Sequence, residues 1–390
     1  MTDIQKENKS GGKVPNLRFP NFEGEWKVKK LGEVCEIKTG NKDTQNKVEN
    51  GKYPFFVRSN TVEKIDSYSY DGEAILTSGD GVGVGKNFHY INGKFDFHQR
   101  VYALRNFRNG YSGKYIYHLF SEKFYDRVRK LSAKNSVDSV RMDMISEMKV
   151  YFPLLLEQQK ISSFLSLIDE RIQTQNKIIE QIEFYFKGIK DNLFSQKIRF
   201  GDFADDWKTK KLGDVLLKNS TKNKNQRYST VQSVSNKYGF INQEDIFEDR
   251  RVASVDTSNY YVIDKGCFAY NPSRINVGSL AYKFDDKISI ISPLYISFKA
   301  ENIFLIDTFL LYWFKTIEFT KQMNNSFEGS VRNTLSYENL IKMNISIPSL
   351  EEQIQISSFL TKIDQKIQTE KTILEQLEMQ KKYLLQQMFV

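Results

Sequence analysis

A glycine-rich segment is the first place where the residue types of this sequence point to phosphate chemistry. From Asp80 to Lys86 the chain reads DGVGVGK. The segment lacks the first glycine of a P-loop, and Asn87 stands where that loop needs serine or threonine. It does not match the dinucleotide-binding fingerprint either. We therefore expect a loop whose glycines let its backbone approach a surface closely, not a nucleotide site.

Motifs for catalysis are incomplete elsewhere in the chain. Residues 271–274 read NPSR and share two positions with the Asn-Pro-Pro-Tyr or Phe box of adenine methyltransferases, but the third and fourth positions differ. Glu147 and Lys149, preceded by Asp138 or Asp143, form a weak nuclease-like pattern of a kind that chance produces often. The three histidines have no metal-ligand spacing. We therefore predict no catalytic constellation, no metal and no cofactor.

Basic and amide side chains in loops are the residue types that bind phosphates or pair with guanine and adenine edges. In the first half of the chain, the candidates for DNA contact are Lys38, Thr39, Asn41, Lys42, Arg58, Asn60, Lys86, Asn87 and Arg100. In the second half they are Lys224, Arg227, Asn236, Lys237, Arg250, Arg251, Arg274 and Asn276. The alternative is that these segments are hairpin turns and loops with solvated polar residues.

The composition favours an acidic partner. The chain has 390 residues, enough for two or three domains. Its net charge is +9, and its lysines and arginines are scattered along the sequence. Nucleic acid is the leading candidate, and a merely basic soluble protein is the alternative. Two cysteines in separate halves favour a reduced, cytoplasmic protein. No apolar run approaches the ~18 residues of a membrane span, and polar residues 1–16 are expected to be a disordered tail.

A repeated helical stretch must position the candidate loops. Residues 153–194 return as 348–389, and Glu352 lies 195 positions after Glu157. Apolar residues follow steps of four and three in both copies, which predicts a heptad seam on a long helix. The seam positions expected to pair the helices are Ile161, Leu165, Ile168, Ile172, Ile179, Ile182, Ile356, Leu360, Ile363, Ile367, Leu374 and Leu377. The alternative is two ordinary amphipathic helices buried in separate domains.

Details of the two copies refine this prediction. One seam position in the middle of each helix is polar, at Gln175 and Glu370, which would fix register. Ser349 and Glu352 have the spacing of a capping box, whereas Leu154 occupies the position of Ser349 in the first copy.

Mixed globular segments lie before each helix and share an outline. Trp207 lies 181 positions after Trp26, and segment 330–332 has the same sequence, Ser-Val-Arg, as segment 139–141. Strands are predicted at 53–57, 74–76 and 101–104, with a helix at 115–130; the second half answers with strands at 266–270 and 294–297 and a helix at 306–322. The sequence thus predicts an α+β protein with an internal two-fold repeat. Its parts are a globular domain at 17–150, a spacer helix at 151–196, a second globular domain at 197–346 and a second spacer helix at 347–390.

The chain resembles the specificity subunit of Type I restriction-modification enzymes. The resemblance rests on Pro-x-Leu-x-Glu-Gln-x-x-Ile at 153–161 and 348–356, on the long helices that follow, and on Trp-x-x-x-x-Leu-Gly-Glu/Asp-Val at 26–34 and 207–215. It implies two target-recognition domains, each reading half of a split site in double-stranded DNA, and two antiparallel spacer helices. It also implies two docked copies of a modification (methyltransferase) subunit, with restriction and translocase subunits joining through that complex. Adenine methylation with S-adenosylmethionine and ATP-driven cleavage would belong to those partners, so the chain itself would not be an enzyme.

Two other functions remain open from the residues alone. One is a duplicated coiled-coil adaptor that binds proteins without sequence-specific DNA binding. The other is a nuclease or methyltransferase in its own right, which the incomplete motifs disfavour.

Overall fold

The computed structural model describes residues 14–81, 83–132, 139–246, 256–327 and 334–390. These residues fall into two compact units. The first comprises the described residues up to Lys177 together with Thr372–Val390, and the second those of Ile178–Lys371. The candidates Arg250 and Arg251 lie outside the described ranges, as does segment 330–332.

The first unit is built on a six-stranded sheet. β1 (Lys27–Lys30) and the short helix α1 (Leu31–Val34) come before it. Its strands are β2 (Glu36–Thr39), β3 (Tyr53–Phe56), β4 (Val62–Ile65), β5 (Tyr70–Ser78), β6 (Phe88–Phe97) and β7 (Val101–Arg105), in the order β2-β7-β5-β6-β3-β4. β3 and β6 run parallel, and the other neighbours are antiparallel. After the sheet, β8 (Lys149–Phe152) pairs back with β1.

The longest strands of this sheet are bent. Tyr70 of β5 pairs with Phe95 of β6, whereas Ser78 at the other end of β5 pairs with Val101 of β7. Only residues 98–100 connect β6 with β7. They cannot span a straight strand of nine residues, which would rise about 30 Å at ~3.3 Å per residue. Two glycines that face each other supply unusual backbone within this hairpin: Gly72 has a φ of 149° and Gly93 a φ of 147°.

One helix covers the first sheet. α2 (Gly113–Leu131) matches the predicted helix at 115–130, and α3 (Met142–Ser146) follows it. The Ser112 hydroxyl accepts a hydrogen bond from the Tyr115 amide and so caps α2. Tyr115, Phe120 and Phe124 of α2 are fully buried in the main core of the unit, together with Trp26.

The second unit replaces the single sheet by two sheets of four strands. β9 (Lys208–Lys211) pairs with a strand near the end of the unit, β18 (Asn344–Ile347), as β1 pairs with β8. The strands of the two larger sheets are β10 (Leu216–Lys218), β11 (Val231–Ser235), β12 (Gly239–Asn242), β13 (Tyr261–Ile263), β14 (Phe268–Tyr270), β15 (Leu280–Tyr282), β16 (Ser289–Ile291) and β17 (Ile296–Ala300). The sheets have the orders β10-β17-β14-β15 and β12-β11-β16-β13.

The long helices run through both units. They are α4 (Leu155–Phe194) and α9 (Leu350–Met388). In the first unit the start of α4 lies with the end of α9, since Ile161 and Leu165 share a core with Leu384 and Met388. In the second unit the end of α4 lies with the start of α9, since Leu193 and Phe194 share a core with Ile356 and Leu360. Within each unit the two helices are therefore antiparallel neighbours.

The predicted seam faces away from solvent. None of its twelve apolar positions is exposed, and the polar positions Gln175 and Glu370 are buried as well. None of the helices that the structure describes is long and apolar enough to cross a bilayer. The mixture of sheets and helices confirms the predicted α+β class.

The predicted helix at 306–322 is wrong in one respect, because the structure has two helices there. Short helix α5 (Gln243–Ile246) precedes them, α6 (Asp307–Trp313) and α7 (Ile317–Asn325) form the pair, and α8 (Tyr337–Leu340) follows. Thr316 caps α7 through the amide of Phe319. Two α4 side chains fill the break: the Lys190 ammonium donates to the carbonyl of Lys315, and the Asp191 carboxylate accepts from the amide of Ile317. These contacts satisfy backbone groups that a continuous helix would pair internally.

A buried carboxylate anchors the start of α4. Glu157 is 1% exposed, and Arg18 donates to both of its oxygens, at 2.7 and 2.8 Å. The same guanidinium donates to the carbonyls of Glu23 and Gly24. Hydrogen bonding to Glu157 raises the pKa of Arg18 further. The neighbouring Gln158 accepts from the amide of Ser112 and donates to the carbonyls of Gly110 and Pro153. We call this set of contacts the helix-start latch.

The second unit contains the same latch. Arg199 donates to both oxygens of Glu352 at 2.8 Å, and Glu352 is 1% exposed. Gln353 accepts from the amide of Ile306 and donates to the carbonyls of Phe304 and Pro348. The Glu-Gln dipeptide of the repeated motif therefore has the same contacts twice.

The predicted capping box at α9 forms only in half. Ser349 accepts from the amide of Glu352 at 3.3 Å. The Glu352 side chain does not return to the Ser349 backbone, because Arg199 and the Trp207 indole occupy it.

His118 of α2 packs against α4. Its Nε2 lies 3.4 Å from the Ser166 hydroxyl and its Nδ1 lies 3.8 Å from Asp169, which also pairs with Lys381. These residue types recur in hydrolase triads. Here the carboxylate is too far for a hydrogen bond, and the ring is 3% exposed. Burial, the largest influence, lowers the pKa of His118 to about 4, so the ring is a neutral packing group at pH 7.

The latch predicts a large difference between two adjacent glutamates. Glu352→Ala leaves Arg199 and Trp207 without their buried acceptor and should lower the free energy of unfolding by about 3 kcal/mol. Glu351→Ala removes the same charge from an exposed position and should cost less than about 1 kcal/mol. Denaturant unfolding of both variants measures the difference. Equal losses would contradict the latch.

His118 predicts a pH dependence of stability. In the unfolded chain the ring protonates near pH 6.5, whereas in the folded chain it protonates only near its pKa of about 4. Stability should therefore fall as the pH drops from 6.5 towards 4, by up to about 1.4 kcal/mol per pH unit from this group. His118→Gln should flatten this part of the profile in urea unfolding between pH 7 and 5. An unchanged slope would show that other groups carry it.

Candidate nucleic-acid interface

Four loops of the first unit meet at one edge of its bent sheet. They follow β2, β3, β5 and β6. Lys42 after β2 bridges to His98 after β6, and the amide of Gln99 donates to the carbonyl of Lys42 at 2.8 Å. Arg58 after β3 and Arg100 after β6 each contact Asp80, which follows β5. We call these residues, 40–42, 58–60, 79–81 with 83–87, and 98–100, the first loop cluster.

The candidates in this cluster differ in accessibility. Arg58, Asn60, Lys86 and Arg100 are exposed, as is Asn41, while Lys42 is half-buried. The Lys86 ammonium lies 5.0 Å from the centre of the Tyr125 ring. Lys38 and Thr39 are exposed on β2, and the Lys38 ammonium pairs with Glu36 at 2.9 Å.

Asn87 has a different environment from the other candidates. It is 6% exposed, and its amide nitrogen lies 3.4 Å from the Arg58 carbonyl and from the Ser78 hydroxyl. A side chain at Gly83 would collide with this amide. Asn87 therefore supports the loop of Arg58 from inside.

His98 shapes the turn that carries Arg100. Its Nδ1 accepts a hydrogen bond of 2.9 Å from the Arg100 amide. Burial lowers the pKa of His98, and the positive charges of Arg58 and Arg100 lower it further. The ring is thus neutral at pH 7, which leaves Nδ1 free to accept that bond.

In the second unit a hairpin and a loop form the corresponding surface. The Asn236 amide, at the turn between β11 and β12, donates to the carbonyl of Val277 in the loop between β14 and β15 at 2.7 Å. This contact brings together the exposed candidates Asn236, Lys237, Arg274 and Asn276. Two large apolar side chains are also exposed there, Tyr238 at 66% and Val277 at 59%. We call residues 236–238 and 274–278 the second loop cluster.

Lys224 and Arg227 belong to another loop of the second unit. Asn223 organises it through the Tyr228 carbonyl and the Thr257 hydroxyl. Both candidates are exposed, and the Arg227 guanidinium lies 5.4 Å from the Tyr228 ring.

The two clusters offer different chemistry. The first presents two guanidinium groups around a carboxylate, whereas the second presents amides, cations and apolar surface. Guanidinium groups suit guanine edges and phosphates, amides suit adenine, and apolar groups suit the thymine methyl. In the described ranges, no three His, Cys, Asp or Glu side chains are placed to hold a metal ion.

The sequence candidates did not include Asp80 and Val277, which the structure places in the two loop clusters. Asp80 carries the wrong charge for a phosphate contact, and its contact with Arg58 spans 22 positions. Val277 is apolar and therefore falls outside a search for basic and amide side chains. An apolar residue next to Asn276 in a polar loop was the available sequence signal.

Comparisons with known proteins agree on one family. Residues 23–184 and 204–379 match the model of the "Type I restriction modification DNA specificity domain". The EcoDI specificity subunit of Escherichia coli is 23% identical over 60% of this chain and 49% of its own length. The putative MjaX specificity subunit of Methanocaldococcus jannaschii is 24% identical over 97% of this chain and 87% of its own length.

Solved structures share the fold. The S subunit of a Type I restriction-modification system from M. genitalium has a TM-score of 0.66 at 17% identity, covering 97% of this chain and 99% of that one. A chain from a type I restriction-modification complex has a TM-score of 0.55 at 14% identity, covering 95% and 98%. Because the family model covers both halves of the repeat, this chain belongs to the Type I restriction modification DNA specificity domain family.

Proposed function

We propose that this chain is the DNA sequence-specificity subunit of a Type I restriction-modification complex. Each globular domain reads one half of an asymmetric, bipartite site in double-stranded DNA. The observation that carries the proposal is that the two units combine matching Arg–Glu and Gln–backbone contacts with different loop clusters. Glu157 and Glu352 are held in the same way, yet the polar groups presented by the two units differ. Two loop clusters with different polar groups, each carried by a domain with the same latch contacts, would select different half-sites.

We propose that the long helices fix the length of the unread DNA between the half-sites and bind two modification subunits. Equivalent positions of the repeat expose large apolar side chains, Phe184 at 76% on α4 and Met379 at 63% on α9. Tyr185 is 64% exposed beside Phe184. Exposed apolar groups at repeated positions favour two equivalent protein contacts. Restriction and translocase subunits join through the modification subunits.

The chain is proposed to be a non-catalytic, cytoplasmic subunit that needs no cofactor of its own. Methyl transfer from S-adenosylmethionine and ATP-driven movement fall to the partner subunits. The incomplete methyltransferase box at 271–274 supports this division. The adaptor alternative is less well supported, because it gives no reason for divergent polar loops on matching latches.

Exchange of one domain tests whether the two globular domains read their half-sites independently. Replacing residues 35–150 with the corresponding segment of another specificity subunit should change one half-site and leave the other and the spacer unchanged. Genome-wide mapping of methylated adenines, in cells with the original or exchanged chain, gives the site. If both half-sites changed together, the two units would not read independently. If methylation did not depend on the chain, the adaptor would be preferred.

Lengthening the two long helices tests whether they set the length of the unread DNA between the half-sites. One heptad added to α4 after Lys177 and one added to α9 after Lys371 preserve the seam and lengthen each helix by about 10 Å. The unread spacer should grow by about three base pairs, at ~3.4 Å each. An insertion of two residues in each helix is the control, because it breaks the register and should abolish methylation. The same methylation map records both, and an unchanged spacer would contradict the proposed role.

A further inference from the structure

One carboxylate joins two exposed arginines in the first loop cluster. Arg58 Nη1 donates to Asp80 Oδ1 and Arg100 Nη1 donates to Asp80 Oδ2, both at 3.1 Å. The two arginine side chains are 46% and 64% exposed, whereas that of Asp80 is 20% exposed. Neither guanidinium makes another hydrogen bond or ion pair to the described residues. Each therefore keeps donors for a ligand.

The carboxylate has a fixed position. The Gly79 amide donates to the Arg100 carbonyl at 2.8 Å, and the Gly79 carbonyl accepts from Val140 at 2.7 Å. A side chain at position 79 would lie 2.8 Å from the Arg100 carbonyl, so glycine is needed for this approach. Asn87 supports the Arg58 backbone from below. Asp80 is thus held on the same backbone that carries its partners.

Resting on the proposed function, we infer that Asp80 is a positioning residue that makes Arg58 and Arg100 a paired reader of guanine. A carboxylate at a DNA surface repels phosphates, so its presence there is not explained by affinity. Each of its oxygens already accepts a hydrogen bond from an arginine, which leaves fewer lone pairs for a cytosine amine. It instead restricts two flexible guanidinium groups, whose planar donors match the O6 and N7 acceptors of guanine.

The shared carboxylate also limits the target. Because both guanidinium groups touch one carboxylate, their Nη1 atoms lie within about three base-pair rises of each other, at ~3.4 Å per rise. The half-site read by the first unit therefore contains two guanines, on one strand or on both, no more than about three steps apart.

Selection from a randomised duplex library tests this assignment. The full chain, assembled with the modification subunit of its own system, is compared with Arg58→Ala, Arg100→Ala, Arg58→Lys and Asp80→Asn. Glu33→Gln is the matched control, since Glu33 forms an exposed ion pair of 3.6 Å with Lys29 outside the loop cluster. Bound sequences and the salt dependence of binding are measured for each variant.

Each arginine-to-alanine variant should lose discrimination at one guanine, by roughly 5- to 150-fold, the range of one bidentate contact. Arg58→Lys should lose the same discrimination while keeping the salt dependence, because the charge remains. Asp80→Asn should weaken discrimination at both guanines and leave the second half-site unchanged. Glu33→Gln should select as the unmodified chain does.

Other results separate this inference from the proposed function. Suppose that the unmodified complex selects a bipartite site. If the first half-site lacks two such guanines, or if Asp80→Asn retains full discrimination at both guanines, the inference fails and the proposed function stands. If the unmodified complex selects no sequence, the proposed function fails and the inference with it. A loss of selection in both half-sites by Asp80→Asn alone would show a general structural role and would also overturn the inference.

Discussion

Two buried carboxylates at the starts of the long helices are the constraint on which the rest of the structure depends. Glu157 and Glu352 are each 1% exposed, and a carboxylate so far removed from water destabilises a fold by several kcal/mol unless it is paired. Each is paired by an arginine that donates to both oxygens. Because the arginine precedes the sheets and the glutamate follows them in sequence, the latch ties the two ends of each globular part to its helix.

The adjacent glutamine extends the same constraint to a third segment. Gln158 and Gln353 are buried and bind backbone groups just before α2 and α6. An unpaired buried amide would cost free energy, so these backbone positions are fixed as well. The helix start, the arginine segment and the sheet-covering helix therefore keep one arrangement in both units. The sheets between them are not bound by these contacts.

Because the latch contacts do not involve the sheets, the sheets of the two units can differ, and they do. The first has one bent sheet of six strands, and the second has two sheets of four. The covering helix is continuous in the first unit and broken in the second, where Lys190 and Asp191 of α4 satisfy the exposed backbone. The loops at the sheet edges consequently present arginines and a carboxylate in one unit, and amides with apolar groups in the other. Under the proposed function, this difference is the physical basis of an asymmetric target.

The sequence by itself determined the repeat, the long helices and the α+β class. Each of these can be predicted from the spacing of residues that are close in sequence. Apolar residues at steps of three and four, for example, predict one face of a helix without reference to distant residues. The strands at 53–57, 74–76 and 101–104 and the helix at 115–130 followed from the same kind of pattern.

Only the tertiary structure decided which distant side chains meet. Glu157 lies in the repeated motif at 153–161, but its bond to Arg18 spans 139 positions and depends on how the chain returns. The break at Thr316 depends on α4 side chains more than 120 positions earlier. Asp80 meets Arg100 because the end of β5 pairs with the start of β7, and Arg58 joins them because β3 ends beside the end of β6. Side-chain contacts of this kind depend on the position of the whole backbone, which local spacing does not specify.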